Sequence, residues 1–128
     1  MDLANINQYL LQKLKTFLDK EGVDFSETEV TKYAKDVSIF KMTPNLVVLP
    51  KNVEEISKLV TFVKDLKMAT YKSLESEEIL RSVDNILEIS VQAGATCMSG
   101  GSLTTGVMLD LKKYLNKISS VKNIGGEF

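Results

Sequence analysis

Apolar residues recur at helical spacing from the start of the chain. Ile6, Tyr9, Leu10, Leu14, Phe17 and Leu18 follow the i, i+3/i+4, i+7/i+8 pattern of a single stripe, which predicts an amphipathic packing helix. Asn5 with Gln8 three residues on matches a capping box, and Gly22 supplies a stop. Val30, Tyr33 and Ala34 fit a short helical turn. Residues 36–44 read as a loop, because Pro44 disfavours helix at Thr43.

The pattern then changes period. Residues 46–49, Leu-Val-Val-Leu, form a β-branched run closed by Pro50 and predict a buried strand. Asn52 offers an N-cap with Glu55 at the capping-box position. Val53, Ile56, Leu59, Val60 and Val63 carry a helix through about Leu66. A second helix is expected after Ser76, with acids in its first turn and Ile79, Leu80, Val83 and Ile86 on its apolar face. In residues 87–91, Leu87, Ile89 and Val91 alternate with Glu88 and Ser90, as in a half-buried strand. Residues 107–111, Val-Met-Leu-Asp-Leu, predict another strand. Tyr114, Leu115 and Ile118 are the apolar points of a short turn. Val121 would begin a last strand, and Gly125-Gly126 would make a hairpin turn. Strand, proline, cap and helix make the first half of a βα unit, behind an N-terminal helical extension.

Composition narrows the chemistry. The 128 residues are 44% hydrophobic and 26% charged, as in one soluble globular domain. Such a chain buries roughly two-thirds of its unfolded surface. Sixteen basic and seventeen acidic residues leave a net charge of −1, so no field recruits nucleic acid or an anionic membrane. The single cysteine, Cys97, excludes an intramolecular disulfide. The absence of histidine removes most zinc and iron sites and every Ser-His or Cys-His nucleophile pair. Any chemistry must therefore come from a cofactor or a further segment. No apolar run approaches the roughly 18 to 20 residues of a membrane span, and no signal-peptide pattern opens the chain, so a cytoplasmic location is the expectation.

The one glycine-dense stretch is residues 92–106, which follows a predicted strand and precedes another. Small residues there let the backbone approach a ligand, and successive N–H groups in such a turn make an anion nest. Thr96 and Ser99 add hydroxyls, and a phosphate or pyrophosphate is the natural guest. The stretch is neither a Walker A loop nor a Rossmann fingerprint. Cys97 is expected to act as a small apolar filler, Met98 and Met108 as core filler, and Lys112, Lys113 and Lys117 as a solvated face. Gly125-Gly-Glu-Phe128 is similar to the diguanylate cyclase signature but is one acid short and has no such domain around it.

The order of the pieces carries more than any one of them. Tyr33-Ala-Lys-Asp36-Val-Ser38 is followed by Pro44-Asn-Leu-Val-Val-Leu-Pro50 and the helix from Asn52. Then come Ala93-Gly-Ala-Thr-Cys-Met-Ser-Gly-Gly101, Gly106-Val-Met-Leu-Asp-Leu111 and Leu115-Asn-Lys-Ile118. This order resembles the opening of the FAD-binding PCMH-type oxidoreductases: FAD-linked oxidases, D-lactate dehydrogenases and glycolate oxidase flavin subunits. The resemblance covers roughly residues 33–122.

It implies an α+β PCMH-type FAD-binding fold, a βαβ unit with a glycine-rich pyrophosphate loop. Residues 1–38 would be an N-terminal helical segment and 39–128 the first part of the FAD-binding domain, incomplete at its C-terminus. The implied function is flavin-dependent oxidation of a 2-hydroxy acid by hydride transfer to FAD. The alternatives are a non-catalytic nucleotide-binding or interaction module, or a truncated gene fragment. The residues implied to bind FAD are Pro50, Gln92, Ala93, Gly94, Ala95, Thr96, Cys97, Met98, Gly100 and Gly101. A small-molecule substrate would require further chain, and no catalytic residue is assigned. Asp110 is expected to be structural. Gln92 stands where the family has Arg, Ala93 and Ala95 replace two of three glycines, and residues 67–86 insert a helix where the family has a short loop.

Overall fold

In a computed structural model of the chain, residues 3–17, 23–24, 30–73 and 76–120 are described. Helix α1 spans Leu3–Phe17, α2 Val53–Ser73 and α3 Glu77–Ile86; strands β1–β4 span Val23–Asp24, Leu46–Val48, Ile89–Gln92 and Val107–Asp110. The four strands form one sheet in the order β1-β2-β4-β3. β1 is antiparallel to β2, and β2, β4 and β3 run parallel. The result is a mixed α/β fold with a small, mostly parallel sheet. None of its described helices is long and apolar enough to cross a membrane.

Two connections of different kinds build the parallel part. The β2–β3 crossover carries both α2 and α3 and leaves a place between the two strands. β4 fills that place, reached from β3 through residues 93–106 without a helix. One face of the sheet bears all three helices. Leu46, Val48, Val107 and Leu109 pack there with Leu10 and Leu14 of α1, Leu59, Val63 and Leu66 of α2, and Val83 and Leu87 beside them. Each of these fully buried leucines contributes roughly 1.5–3 kcal/mol by leaving water. Val47 and Met108 point to the opposite face and pack with Val30 and Tyr33.

The α2 cap follows the sequence with a shift of one residue. Asn52 Oδ1 accepts the Glu55 N–H at 2.9 Å, but the Glu55 carboxylate reaches back to the N–H of Lys51 at 2.7 Å rather than to that of Asn52. The helix runs to Ser73, well past Leu66, because no Gly or Pro stops it. Its buried stripe is Leu59, Val63, Leu66 and Thr70, so Val53 and Val60 are exposed. The buried Thr70 hydroxyl is satisfied by the Leu66 carbonyl at 2.8 Å. The helix expected after Ser76 is present and packs on the core through Val83. Asp84 fastens it to α2 through Lys67 at 3.0 Å and through the Tyr71 hydroxyl. Those two hydrogen bonds, Tyr71 first, hold the Asp84 carboxyl below its ordinary pKa, and the same carboxylate raises that of Tyr71.

Other expectations shift. Helix α1 begins at Leu3, so Asn5 lies inside it and is not its cap. The short turn at Val30–Ala34 is a single 3₁₀ turn over Thr31–Tyr33. The third strand occupies Ile89–Gln92 rather than 87–91, because Leu87 ends α3 and is buried beneath it. Ile118 is almost fully exposed, while Tyr114 and Leu115 are half-buried. Leu18, Gly22, Val121 and the Gly125-Gly126 turn lie outside the described residues.

Candidate functional site

The three parallel strands end together. Val48 is in register with Leu109, and Gln92 with Asp110, so Pro50, Gln92 and Leu111 come to one end of the sheet. The Leu111 N–H donates to the Gln92 carbonyl at 3.1 Å there. In open parallel sheets the carboxyl ends of the strands are where ligands sit, because backbone groups and loops converge there without a covering helix. The glycine-dense loop leaves from this end. Ser90 and Gln92 stand in register with Met108 and Asp110, so both lie on the helix-free face.

Hydrogen bonds tie the loop to that face. Ser90 Oγ donates to the Ser102 carbonyl at 3.0 Å, and Ser102 Oγ donates to Asp36 Oδ2 at 3.2 Å. Asp36 Oδ1 accepts the Ser38 N–H at 2.8 Å, and Ser38 Oγ accepts the Phe40 N–H at 3.2 Å. The Asp-x-Ser element is thus a pair of side-chain-closed turns holding the far end of the loop. The hydrogen bonds from Ser38, with that from Ser102 behind them, keep the Asp36 carboxyl below its ordinary pKa.

The backbone specifies which residues need to be small. Gly100 has φ +76°, and a Cβ there would lie 2.9 Å from the Phe40 ring. Ala95 has φ +54°, so alanine rather than glycine occupies a left-handed position in this loop. At Gly94 a Cβ would meet only the Thr96 side chain, at 3.6 Å, so the fold itself does not demand glycine there.

The ten residues expected to hold a cofactor divide sharply. Pro50 and Gln92 are buried at the strand ends; Ala95, Cys97 and Gly100 are half-buried; Ala93, Gly94, Thr96, Met98 and Gly101 are exposed. Gln92 is only 6% exposed, and its Nε2 has no hydrogen-bond partner. An orphaned buried amide is costly and needs an oxygen acceptor. Two expectations are corrected. Cys97 is not buried filler, since its thiol lies half-exposed 3.3 Å from the Ser99 hydroxyl. That hydroxyl, together with the main-chain N–H groups of Ser99, Gly101 and Ser102, holds the thiol below its ordinary pKa. Met98 is 83% exposed, whereas Met108 is the core methionine.

Sequence pattern alone missed the pair behind the loop. The Tyr33 hydroxyl donates to Asp110 Oδ2 at 2.8 Å, and the Lys112 N–H donates to Oδ1 at 2.7 Å. Asp110 therefore joins the 3₁₀ turn to the end of β4, the structural role expected of it. The contact joins segments 77 positions apart, which no local pattern reveals. Among the described residues, no three His, Cys, Asp or Glu side chains cluster as a metal site would require. A loop of small residues with accessible main chain, beside a buried amide lacking an acceptor, fits an anionic, oxygen-rich group.

The fold is similar to that of a part of several larger proteins of known structure. Of solved structures, p-cresol methylhydroxylase with substrate bound superimposes at TM-score 0.57 and 18% identity, over 95% of this chain and 21% of that one. Two structures of alkyldihydroxyacetonephosphate synthase superimpose at TM-scores of 0.56 and 0.54, with 15% and 14% identity. They are matched over 90% and 89% of this chain and 20% and 21% of theirs. The similarity is one of fold, and the chain spans about a fifth of the length of the structures it matches. No family model and no curated protein matches the sequence.

Proposed function

We propose that this chain is the FAD-binding part of a flavin-dependent oxidoreductase, with residues 39–128 carrying the cofactor loop. The observation that carries the reading is Gln92. A buried carboxamide without an acceptor sits at the carboxyl end of a parallel sheet, at the root of the glycine-dense loop. A pyrophosphate or flavin oxygen would satisfy it once the atoms that seal it from solvent move aside. The fold shared with p-cresol methylhydroxylase and the order of the sequence motifs support the same reading.

In this proposal the main-chain N–H groups of residues 93–98 take the pyrophosphate, Gly100 and Gly101 close the turn, and Pro50 borders the nucleotide. FAD bound there would supply a hydride acceptor. The chain's own residues bind and orient it. Oxidation of a 2-hydroxy acid rests on the sequence resemblance alone, and it belongs to the whole enzyme rather than to these residues.

Titration of the purified 128-residue chain with FAD, followed by flavin absorbance near about 450 nm and by fluorescence, tests the reading. Saturable binding by a folded chain is expected. A cooperatively folded chain that leaves FAD free in solution overturns it.

A further inference from the structure

We propose that Lys51 and Lys113, gathered on the ring of Tyr114 at the carboxyl end of the sheet, form an anion site that takes the diphosphate of a nucleotide. Assigning that diphosphate to FAD rests on the function proposed above; the site itself rests on where the two amines lie. Lys51 follows Pro50 off the end of β2, and Lys113 lies in the turn after β4. β2 and β4 are neighbours in the sheet, so the two segments leave it about 4.8 Å apart. Lys51 Nζ lies 5.5 Å from the centre of the Tyr114 ring and Lys113 Nζ 5.2 Å, which puts the amines within about 11 Å of each other.

The turn that bears Lys113 is fixed. The Lys112 N–H donates to Asp110 Oδ1 at 2.7 Å, and the Leu115 N–H donates to the Leu111 carbonyl at 3.0 Å. Tyr114 is half-buried within it. An aromatic face attracts ammonium groups through its quadrupole, but it bears no net charge and leaves two like charges side by side. The carboxylates near these lysines are Glu55 and Asp110. Glu55 accepts the main-chain N–H of Lys51 at 2.7 Å. Both oxygens of Asp110 are taken, by the Tyr33 hydroxyl and the Lys112 N–H. A divalent anion complements two amines held in this way.

The glycine-dense loop lacks what these lysines supply. Residues 92–106 contain no charged side chain, so the loop offers a diphosphate only main-chain dipoles and hydroxyls. It leaves the same end of the sheet. The Leu111 N–H donates to the Gln92 carbonyl at 3.1 Å, so the turn carrying Lys113 starts beside the root of the loop. Lys113 is one strand from that root and Lys51 two. Their flexible stems allow both ammoniums to reach toward a ligand there. The consequence is specificity for two linked phosphates over one, and hence for FAD over FMN.

Calorimetric titration of the full chain with FAD, inorganic pyrophosphate and inorganic phosphate tests this, in the wild type and in Lys51→Gln, Lys113→Gln and Lys72→Gln. Lys72, in the last turn of α2, lies about 30 Å along the helix and controls for overall charge. Circular dichroism and thermal melting verify that each variant folds. Pyrophosphate is expected to bind more tightly than phosphate. Lys51→Gln and Lys113→Gln should each weaken FAD and pyrophosphate about tenfold, and Lys72→Gln neither. Raising the salt from about 0.01 to about 0.15 M should weaken the wild type more than either of the first two variants. FAD bound equally well by the wild type and both folded lysine variants overturns this proposal and leaves the flavin reading standing. An equal loss in Lys72→Gln also overturns it, by making the effect one of overall charge. Pyrophosphate held through both lysines, with FAD left free, sustains the anion site and overturns the flavin reading. A wild-type chain that binds neither ligand overturns both.

Discussion

Ser102 Oγ donates a hydrogen bond to Asp36 Oδ2 at 3.2 Å, across 66 positions of sequence. Through it, the Asp-x-Ser turn before β2 holds the far end of the glycine-dense loop after β3. The Asp36 carboxyl is kept below its ordinary pKa, so it is a depressed acid. A depressed carboxyl contributes its stabilisation above its unfolded value, near about 4, and loses it as pH falls through the folded value. The loop anchor is thus expected at full strength at neutral pH and released only in acid. Amide exchange of residues 100–103 should accelerate in Asp36→Ala at pH 7. In the wild type it should exceed the intrinsic pH dependence of exchange only below about pH 4.

Gly106 sets a second limit. A Cβ there would lie 2.4 Å from the Glu88 carbonyl oxygen and 2.6 Å from that of Asn85, and both are backbone atoms that cannot swing aside. Gly106 is where the crossover from the loop re-enters the sheet beneath the α3–β3 turn. Gly106→Ala should cost roughly 2–4 kcal/mol. Gly101→Ala, whose Cβ would meet only the Cys97 and Ser99 side chains at 3.6 and 3.7 Å, should lie within about 0.5 kcal/mol of wild type. Chemical denaturation of the two variants side by side measures the contrast, and equal losses would contradict it.

Ala95 occupies φ +54°, a conformation that costs an L-residue roughly 1–2 kcal/mol. Glycine relieves that strain but returns about 0.4–1 kcal/mol of unfolded-chain entropy. Ala95→Gly is therefore expected to stabilise the free protein by up to about 1 kcal/mol. Ala95→Val, β-branched, should destabilise it. Thermal melts of the pair decide the sign, and a destabilising glycine would show that the loop relaxes away from this conformation.

The elements legible in the sequence are those with a strong period or a cap. LVVL at 46–49 is buried on both faces, and Asn52 begins α2. Val83 anchors the helix inserted before β3. What pattern could not supply is which side of a strand is covered. Val91 continues an apolar alternation yet lies at the sheet edge, whereas Gln92, polar and next in line, is buried on the loop-bearing face. Neighbouring strands decide that, and β4, inserted out of sequence order between β2 and β3, is invisible to a local window. The glycine loop was legible as a loop, but its left-handed positions were not. They fall at Ala95 and Gly100 while Gly94 is unconstrained, because the anchors at Asp36, Ser38 and Phe40 come from a distant segment.

Gln92 separates the cost of the site from its use. Its Nε2 is buried and unpartnered, so the free protein bears the penalty of an unsatisfied donor, about 1–3 kcal/mol for such a group. Gln92→Leu keeps the volume of the side chain and removes the donor. The free chain should become no less stable, and by up to about 1 kcal/mol more stable, in urea. If the amide is completed by a flavin or pyrophosphate oxygen, the same substitution should weaken FAD about tenfold, the loss expected of one hydrogen bond. Gly94→Asp, which sets a carboxylate against the bound phosphates, should abolish FAD binding while leaving the melting temperature near that of wild type, since the fold makes no demand for glycine at that position. A Gln92→Leu protein that is destabilised and binds FAD unchanged would mean that the amide has a partner within the chain and plays no part in holding a cofactor.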